Sequence, residues 1–331
     1  MGDRRLVVAA RFQGEPLPWD EPGWDARAEA WIREQTERAG LQLTEAVEEV
    51  RRWCLACVLR APTDGGTVYF KEALNVPLWA DEPALAATMG ELYPGFVPDV
   101  IAVDTARRWL LTMDCGDAGD GDSSQADVAL LRRHANLQRR AADDTERLLN
   151  AGCSARPCSA LPADVDAALA DTVTMALLDD AARTHLAALR ERIASACADL
   201  DAYAVPDTLA HGDLGQSNAA LRDGEYVVFD WTDACITHPF MDGMLAFGME
   251  PGLAKDQAIG AMIEPWTDYE SPERLREAWA VAELVACAHT FVTYHAITAY
   301  LPDSARHEHL EGLRDMASTL IATGERLRTE T

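Results

Sequence analysis

Lysine is almost absent from this chain: of 331 residues only Lys71 and Lys255 carry it, against 27 arginines. A general preference for Arg on solvated faces accounts for the imbalance. It leaves a lysine inside a strand pattern in need of its own reason, because an ammonium is a compact point charge that a planar guanidinium does not mimic. Positive charge as a whole is scarce, with 29 basic residues against 55 acidic ones and a formal net charge of -26. Such a surface repels phosphate backbones and anionic bilayers, so neither nucleic acid nor membrane is expected as a partner. It would draw in a cationic ligand, although solubility alone also explains it. No long apolar run is free of polar residues. The most apolar stretch, Ala278 to Tyr300, is interrupted by Glu283, His289 and His295, and so reads as a buried helix. The opening MGDRRLVV lacks an apolar signal core, so a cytoplasmic chain is expected. Its eight scattered cysteines then read as reduced thiols. Cys54-x-x-Cys57 has no second CxxC or HxxxH at suitable spacing, which argues against zinc.

A first unit alternates short strands with a single helix. Residues 1–42 form an N-terminal extension, with a short apolar run at Leu6–Phe12 and a helical pattern from Gly23 to Ala39 carrying Trp24, Ala28, Trp31 and Ile32. Residues 43–116 then predict strands at 43–50, 53–61 and 67–72, the last two joined by an Asp64-Gly65-Gly66 hairpin turn. A helix over 82–92 has Pro83 in its first turn, and strands follow at 97–103 and 108–113. Five strands with one inserted helix make an α+β unit. The polar, acidic stretch Asp117–Asp127 reads as an exposed connector. Residues 117–331 are mainly helical, with patterns near 127–151, 163–177, 179–203, 242–249, 255–264, 271–300 and 303–328.

One non-helical island, 209–238, interrupts the helices. It runs Leu209-Ala-His211-Gly-Asp213-Leu-Gly-Gln-Ser-Asn218, a hairpin turn at Asp223-Gly224, then Tyr226-Val-Val-Phe-Asp230-Trp231. A carboxylate ending an apolar strand is costly unless something binds it. Mg²⁺ would resolve that cost, since it takes one or two carboxylates together with nucleotide phosphates. Asp230 and Asn218 suit that ion, leaving Asp213 to accept a hydroxyl proton. His211 heads the loop and is grouped with its catalytic residues, though a hydrogen-bonded structural place also suits it. Asp213 and Asn218 each suit turn caps as well. Their order is what selects the catalytic reading, because H-x-D-x-x-x-x-N is expected by chance only about 0.01 times in this composition. Upstream, Lys71 ends the strand Thr67-Val-Tyr-Phe-Lys71, the place for a phosphate-binding lysine. Glu82 opens the next helix as its partner, with Glu91 as the alternative.

These residues resemble the aminoglycoside phosphotransferase-like, choline kinase-related family of small-molecule kinases. The carrying segments are His211-Gly-Asp213-Leu, Asn218, Val227-Val-Phe-Asp230-Trp231 and Thr232-Asp-Ala-Cys-Ile-Thr-His238-Pro-Phe-Met-Asp242. Lys71, Glu82 and Leu110–Gly116 extend the likeness forward. The resemblance implies a two-lobed protein-kinase-like fold and transfer of the γ-phosphoryl group of ATP, with GTP possible, to a hydroxyl of a small molecule. Asp213 would be the base, Asn218 and Asp230 would hold Mg²⁺, and Lys71 fixed by Glu82 would meet the phosphates. Met113, Asp114 and Cys115 would form the hinge that receives the adenine, and Asp242 would brace the loop. The turn that should cover the nucleotide, Val50–Leu55, departs from the family pattern in having no glycine.

By the same resemblance, the acceptor should lie between the catalytic loop and the late helices. The candidates there are Asp233, His238, Trp266, Asp268, Tyr269, His289, Tyr294 and His295. Trp266 also suits a core position, and His289 and His295, six residues apart, fall on different faces of one apolar helix. An antibiotic of aminoglycoside or nucleoside type is the first expectation for the acceptor. A choline, amino-alcohol or sugar metabolite, or a non-catalytic nucleotide-binding module, is the alternative. A monomer or homodimer is expected.

Overall fold

The computed structural model describes residues 16–118 and 123–329. The strand expected at Leu6–Phe12 lies outside them. The first lobe runs α1 (Trp24–Arg38), β1 (Glu48–Arg52), β2 (Ala56–Thr63), β3 (Gly66–Ala73), α2 (Glu82–Leu92), β4 (Val100–Asp104) and β5 (Trp109–Met113). Its strands form one antiparallel sheet in the order β1-β2-β3-β5-β4. The helix expected over 82–92 is present with those bounds, Asp81 accepting the Ala84 N–H at 3.4 Å. The first strand is shorter than the expected 43–50. Leu43 makes only an isolated bridge to Thr63, and Thr44, Glu45 and Ala46 between the partly buried Leu43 and Val47 are exposed, so no ladder forms there.

The period of two along β3 divides its side chains. Val68, Phe70 and Glu72 face one way and are buried; Tyr69 and Lys71 face the other. On the first face α1 closes the sheet with edge-on aromatic pairs: Trp31 lies 5.8 Å from Phe70 and 5.4 Å from Trp109, ring centre to ring centre. Such pairs add about 0.5–1.5 kcal/mol each beyond buried area. Glu72 is buried there and accepts both the Trp24 and the Trp109 indole N–H at 2.6 Å. Burial pushes its carboxyl up while the two indoles pull it back. With α1 covering this face, the opposite face, with Lys71, is left to line the space between the lobes.

The second lobe begins with β6 (Asp117–Ala118), α3 (Ser124–Ala141), α4 (Thr145–Asn150) and β7 (Ser154–Ala155). The helices α5 (Leu161–Ala170), α6 (Thr172–Met175) and α7 (Asp180–Leu200) follow. The island then supplies β8 (Thr208–Ala210), β9 (Ala219–Arg222), β10 (Glu225–Val228) and β11 (Cys235–Thr237). Last come α8 (Met244–Phe247), α9 (Leu253–Ile263), α10 (Pro272–Tyr300) and α11 (Leu310–Thr329). Two small sheets, β10-β9-β6 and β7-β11-β8, hold the island in place.

Two expectations need correction here. The ends of the stretch Asp117–Asp127, whose residues 119–122 lie outside the described ones, belong to regular elements: Asp117 and Ala118 pair with Leu221 and Ala220, and Ser123 caps α3 through the Ala126 N–H at 3.1 Å. The helix expected over 127–151 is two, split at 142–144, where Asp144 instead accepts the Tyr93 hydroxyl at 3.1 Å. The apolar stretch of α10 is a core element, with 72% of its most apolar window buried inside the protein. All eight cysteines are free thiols. Lys255 is accounted for locally: its ammonium donates to Phe247 O at 3.1 Å and Met249 O at 3.0 Å, closing the end of α8.

Candidate active site

The loop from His211 to Asn218 leaves β8 and returns into β9, and its shape is set by one buried carboxylate. Asp242 accepts the His211 N–H at 2.7 Å and the Gly212 N–H at 2.9 Å. It also meets His134 Nε2 at 2.6 Å and Gln138 Nε2 at 3.1 Å. Burial alone would raise this carboxyl; the His134 contact and the backbone donors outweigh it and hold it below the usual range. His211 accepts the Asp213 N–H at Nδ1, 3.3 Å, and lies 2.9 Å from Phe229 O through Nε2. That pattern is a neutral ring with its proton on Nε2. Burial likewise lowers its affinity for a second proton. His211 is thus fully buried and acts as a strut of the loop. Gly212 has φ +84°, and a Cβ there would sit 2.5 Å from Asp233 O, so this position requires glycine.

From this frame Asp213 reaches the cleft exposed. Asn218 donates its amide to Asp213 O at 2.8 Å and to Oδ2 at 3.0 Å, leaving its own Oδ1 as the free end. Asp230 follows β10 with φ +63° and ψ +63°, a left-handed conformation that Asp tolerates better than most residues. Its Oδ1 takes the Lys71 ammonium at 2.6 Å and the Thr232 hydroxyl at 2.7 Å. Lys71 also pairs with Glu82 at 2.8 Å, so Glu82 and not Glu91 is its partner. Glu82 additionally accepts the Trp231 N–H at 3.0 Å. Burial works against all three charges. The Lys71 pair still brings Asp230 down to about 2, Lys71 is raised, and Glu82 stays raised.

These groups line one cavity of about 610 Å³ between the lobes, shared with Met113, Asp114 and Cys115. In the hinge, the Met113 and Asp114 amides are used by Asp99 O and Thr67 O, and the Gly116 amide by the Asp114 side chain at 2.9 Å. The Cys115 thiol is pushed up to about 11 by burial.

Of the eight acceptor candidates, Asp233 and Tyr294 line this cavity. The other six lie elsewhere. Trp266 is fully buried in the helical core, and Asp268 and Tyr269 stand at the surface with Arg139. His238 packs on Phe240 and accepts its N–H; His289 lies against Cys235; His295 lies 3.3 Å from Asp171. A polar type on a late helix does not reveal which turn faces the cleft. Trp79, Thr293 and His309 line it and were missed. Thr293 is next to Tyr294 in α10, but Trp79, in a loop without periodicity, carried no sequence signal.

Trp79 donates its indole N–H to Asp233 at 2.7 Å. Burial, then the charges of Asp213 and Asp230, raise the Asp233 carboxyl from 3.8 to about 7. Between those values the folded protein binds a proton that the unfolded chain does not, so stability falls as pH rises through that window. Asp233→Asn removes this term. Wild-type Tm is expected to fall relative to the variant by a few degrees between about pH 4 and pH 7. Parallel Tm curves for the two proteins would show that Asp233 does not titrate this way.

A model described as the phosphotransferase enzyme family matches residues 130–278, the span that contains the His211–Asn218 loop, Asp230 and Asp242. No curated protein matches the chain by sequence. A macrolide 2′-phosphotransferase from Brachybacterium faecium is similar in structure with a TM-score of 0.57 and 18% identity, covering 87% of this chain and 98% of its own. A choline/ethanolamine kinase family protein from Mesorhizobium loti gives 0.57 at 15% identity, over 91% and 98%. A spectinomycin phosphotransferase, in complex with ADP and spectinomycin, gives 0.54 at 10% identity, over 89% and 98%. The fold is therefore the two-lobed, protein-kinase-like α+β fold of these proteins, as expected.

Proposed function

We propose that this chain, a small-molecule phosphotransferase by its fold and its family pattern, moves the γ-phosphoryl group of ATP to a hydroxyl of a small acceptor. The observation that carries the reading is the convergence of Asp213, Asn218, Asp230 and Lys71 on one cleft, from segments as far apart as β3 and the island. The same cleft would serve GTP if its purine fits the hinge. Asp213, exposed beside the amide of Asn218, is placed to orient the acceptor hydroxyl and take its proton. Lys71, held by Glu82, meets the phosphates as a point charge.

The free oxygens on Asn218 and Asp230 are hard donors suited to Mg²⁺. Among the described residues no group of three His, Cys, Asp or Glu could hold a metal by itself. Those two residues would therefore bind the ion together with nucleotide phosphates, where it would neutralise charge on the transferring group.

At the acceptor end, Asp213 gives the wall a carboxylate, joined by Asp233 as pH rises past about 7, beside the Tyr294 hydroxyl. Acidity there favours an acceptor that carries a basic amine near its hydroxyl. An antibiotic of aminoglycoside type fits first and an amino alcohol second; a nucleoside or sugar without an amine lacks that charge. The likeness to a spectinomycin phosphotransferase and to a choline/ethanolamine kinase family protein supports both amine-bearing classes. The test is ADP release from MgATP across a panel of aminoglycosides, macrolides, nucleosides, amino alcohols and sugars. Acceptor-dependent release with an amine-bearing compound is expected, at least tenfold above the acceptor-free rate. No release above that rate anywhere in the panel would end the reading.

A further inference from the structure

The turn over the phosphate end of the cleft has no glycine, so its backbone lacks the freedom that lets a glycine-rich loop wrap phosphates with amide N–H groups. The structure offers a different donor there. Pairing between β1 and β2 runs Glu48 with Arg60 and Glu49 with Leu59, then skips Val50, so that Arg51 faces Val58 and Arg52 faces Cys57. This is a β-bulge, and bulges re-aim side chains because a shift of one residue moves everything beyond it to the other face. Without the extra residue Arg51 would stand opposite Cys57, which is buried on the α1 face.

With the bulge, Arg51 shares a cross-strand row with Val58 and Lys71 on the cleft face. Two strand spacings, about 10 Å, separate their backbones. Both line the same cavity. The neighbouring Arg52 goes the other way, pairing with Asp25 at 2.5 Å and Glu49 at 2.7 Å. Arg51 has no carboxylate partner among the described residues, in a chain with nearly two acidic residues for every basic one. Its guanidinium is held 3.9 Å over the Trp53 ring, which limits its freedom while leaving its N–H groups unspent.

We propose that Arg51 is a phosphate-binding residue: the bulge at Val50 turns its guanidinium into the cleft to hold the terminal phosphates of the bound nucleotide, in place of glycine-loop amides. The proposal rests on the phosphotransferase reading and adds the group that covers the phosphates. A planar fork suits this place, because it meets two phosphate oxygens at once.

The test is calorimetric titration of the purified protein with MgATP, MgADP and AMP, for wild type, Arg51→Ala, Arg51→Lys and Arg52→Ala. Arg51→Ala is expected to weaken ATP by about 10- to 100-fold, ADP less, and AMP not at all. Arg51→Lys should recover part of the loss. Arg52→Ala should lower Tm while keeping the wild-type ratio of ATP to ADP affinity. An Arg51→Ala protein that retains the wild-type ratio overturns the role of Arg51 alone. Wild type that binds none of the three nucleotides overturns the phosphotransferase reading, and this one with it.

Discussion

Asp213→Asn is expected to lower turnover by two to four orders of magnitude while ATP affinity stays within about threefold of wild type. Asp213 lies in the cleft, exposed, and its backbone is held by others: its N–H by His211 and its O by Asn218. The amide is nearly isosteric and leaves those bonds in place. What disappears is the group able to accept a proton, together with one negative charge next to Asp233. The measurement is single-turnover phosphoryl transfer to an acceptor found in the panel, beside calorimetric ATP binding. A variant that keeps more than a tenth of the wild-type rate would show that Asp213 is not the base. One that loses ATP binding and rate together would show that its part is structural.

The second large effect is of the opposite kind. Asp242→Ala is expected to cost about 3–5 kcal/mol of stability, because it strands several buried partners at once. The His211 and Gly212 amides, His134 and Gln138 all lose their acceptor. Denaturant unfolding measures the loss, and Asp242→Asn, which keeps an oxygen for the amides, should lose less. A cost below about 1 kcal/mol would mean that the loop is held by something else. The wild-type contribution of this carboxyl is present above pH 3.8 and fades as pH falls further, since its proton affinity is lowered on folding. Asp213 and Asp242 thus separate by readout: one variant should fold and fail to react, the other should fail to hold its loop.

Much of this site is local, and for that reason it could be read along the chain. His211, Asp213 and Asn218 sit in one tight loop, and Asp230 follows one hairpin later, so their order and spacing are properties of a short segment. The Asp223-Gly224 turn, at φ +56° and +83°, is written in its residue types. Lys71 stood out because lysine is so rare here. Its pairing with Glu82 followed from a strand and a helix start only eleven residues apart. The helix over 82–92 carried a proline in its first turn.

The acceptor wall was not local, and six of its eight candidates lie elsewhere. Whether a residue of α10 faces the cleft depends on how that helix is rotated against α7 and α11, and its nearly uniform apolar surface carries no stripe that would report it. Trp266 and His238 were chosen for residue type and proved to be packing groups. The connector reading at 117–127 missed the short strand at its start, because a two-residue strand such as Asp117–Ala118 has too short a pattern to recognise.

The order of residues along the chain therefore settled most elements of the first lobe, the His211–Asn218 loop and the lone cleft lysine, since each rests on contacts between near neighbours. Packing alone could settle which face of the sheet lines the cleft, which carboxylate braces the loop and where Arg51 points. Those outcomes turn on α1 covering one face, on Asp242 being carried beneath His211, and on one extra residue in β1 shifting the pairing with β2. Each joins parts of the chain whose meeting is decided by the shape and burial of the whole core.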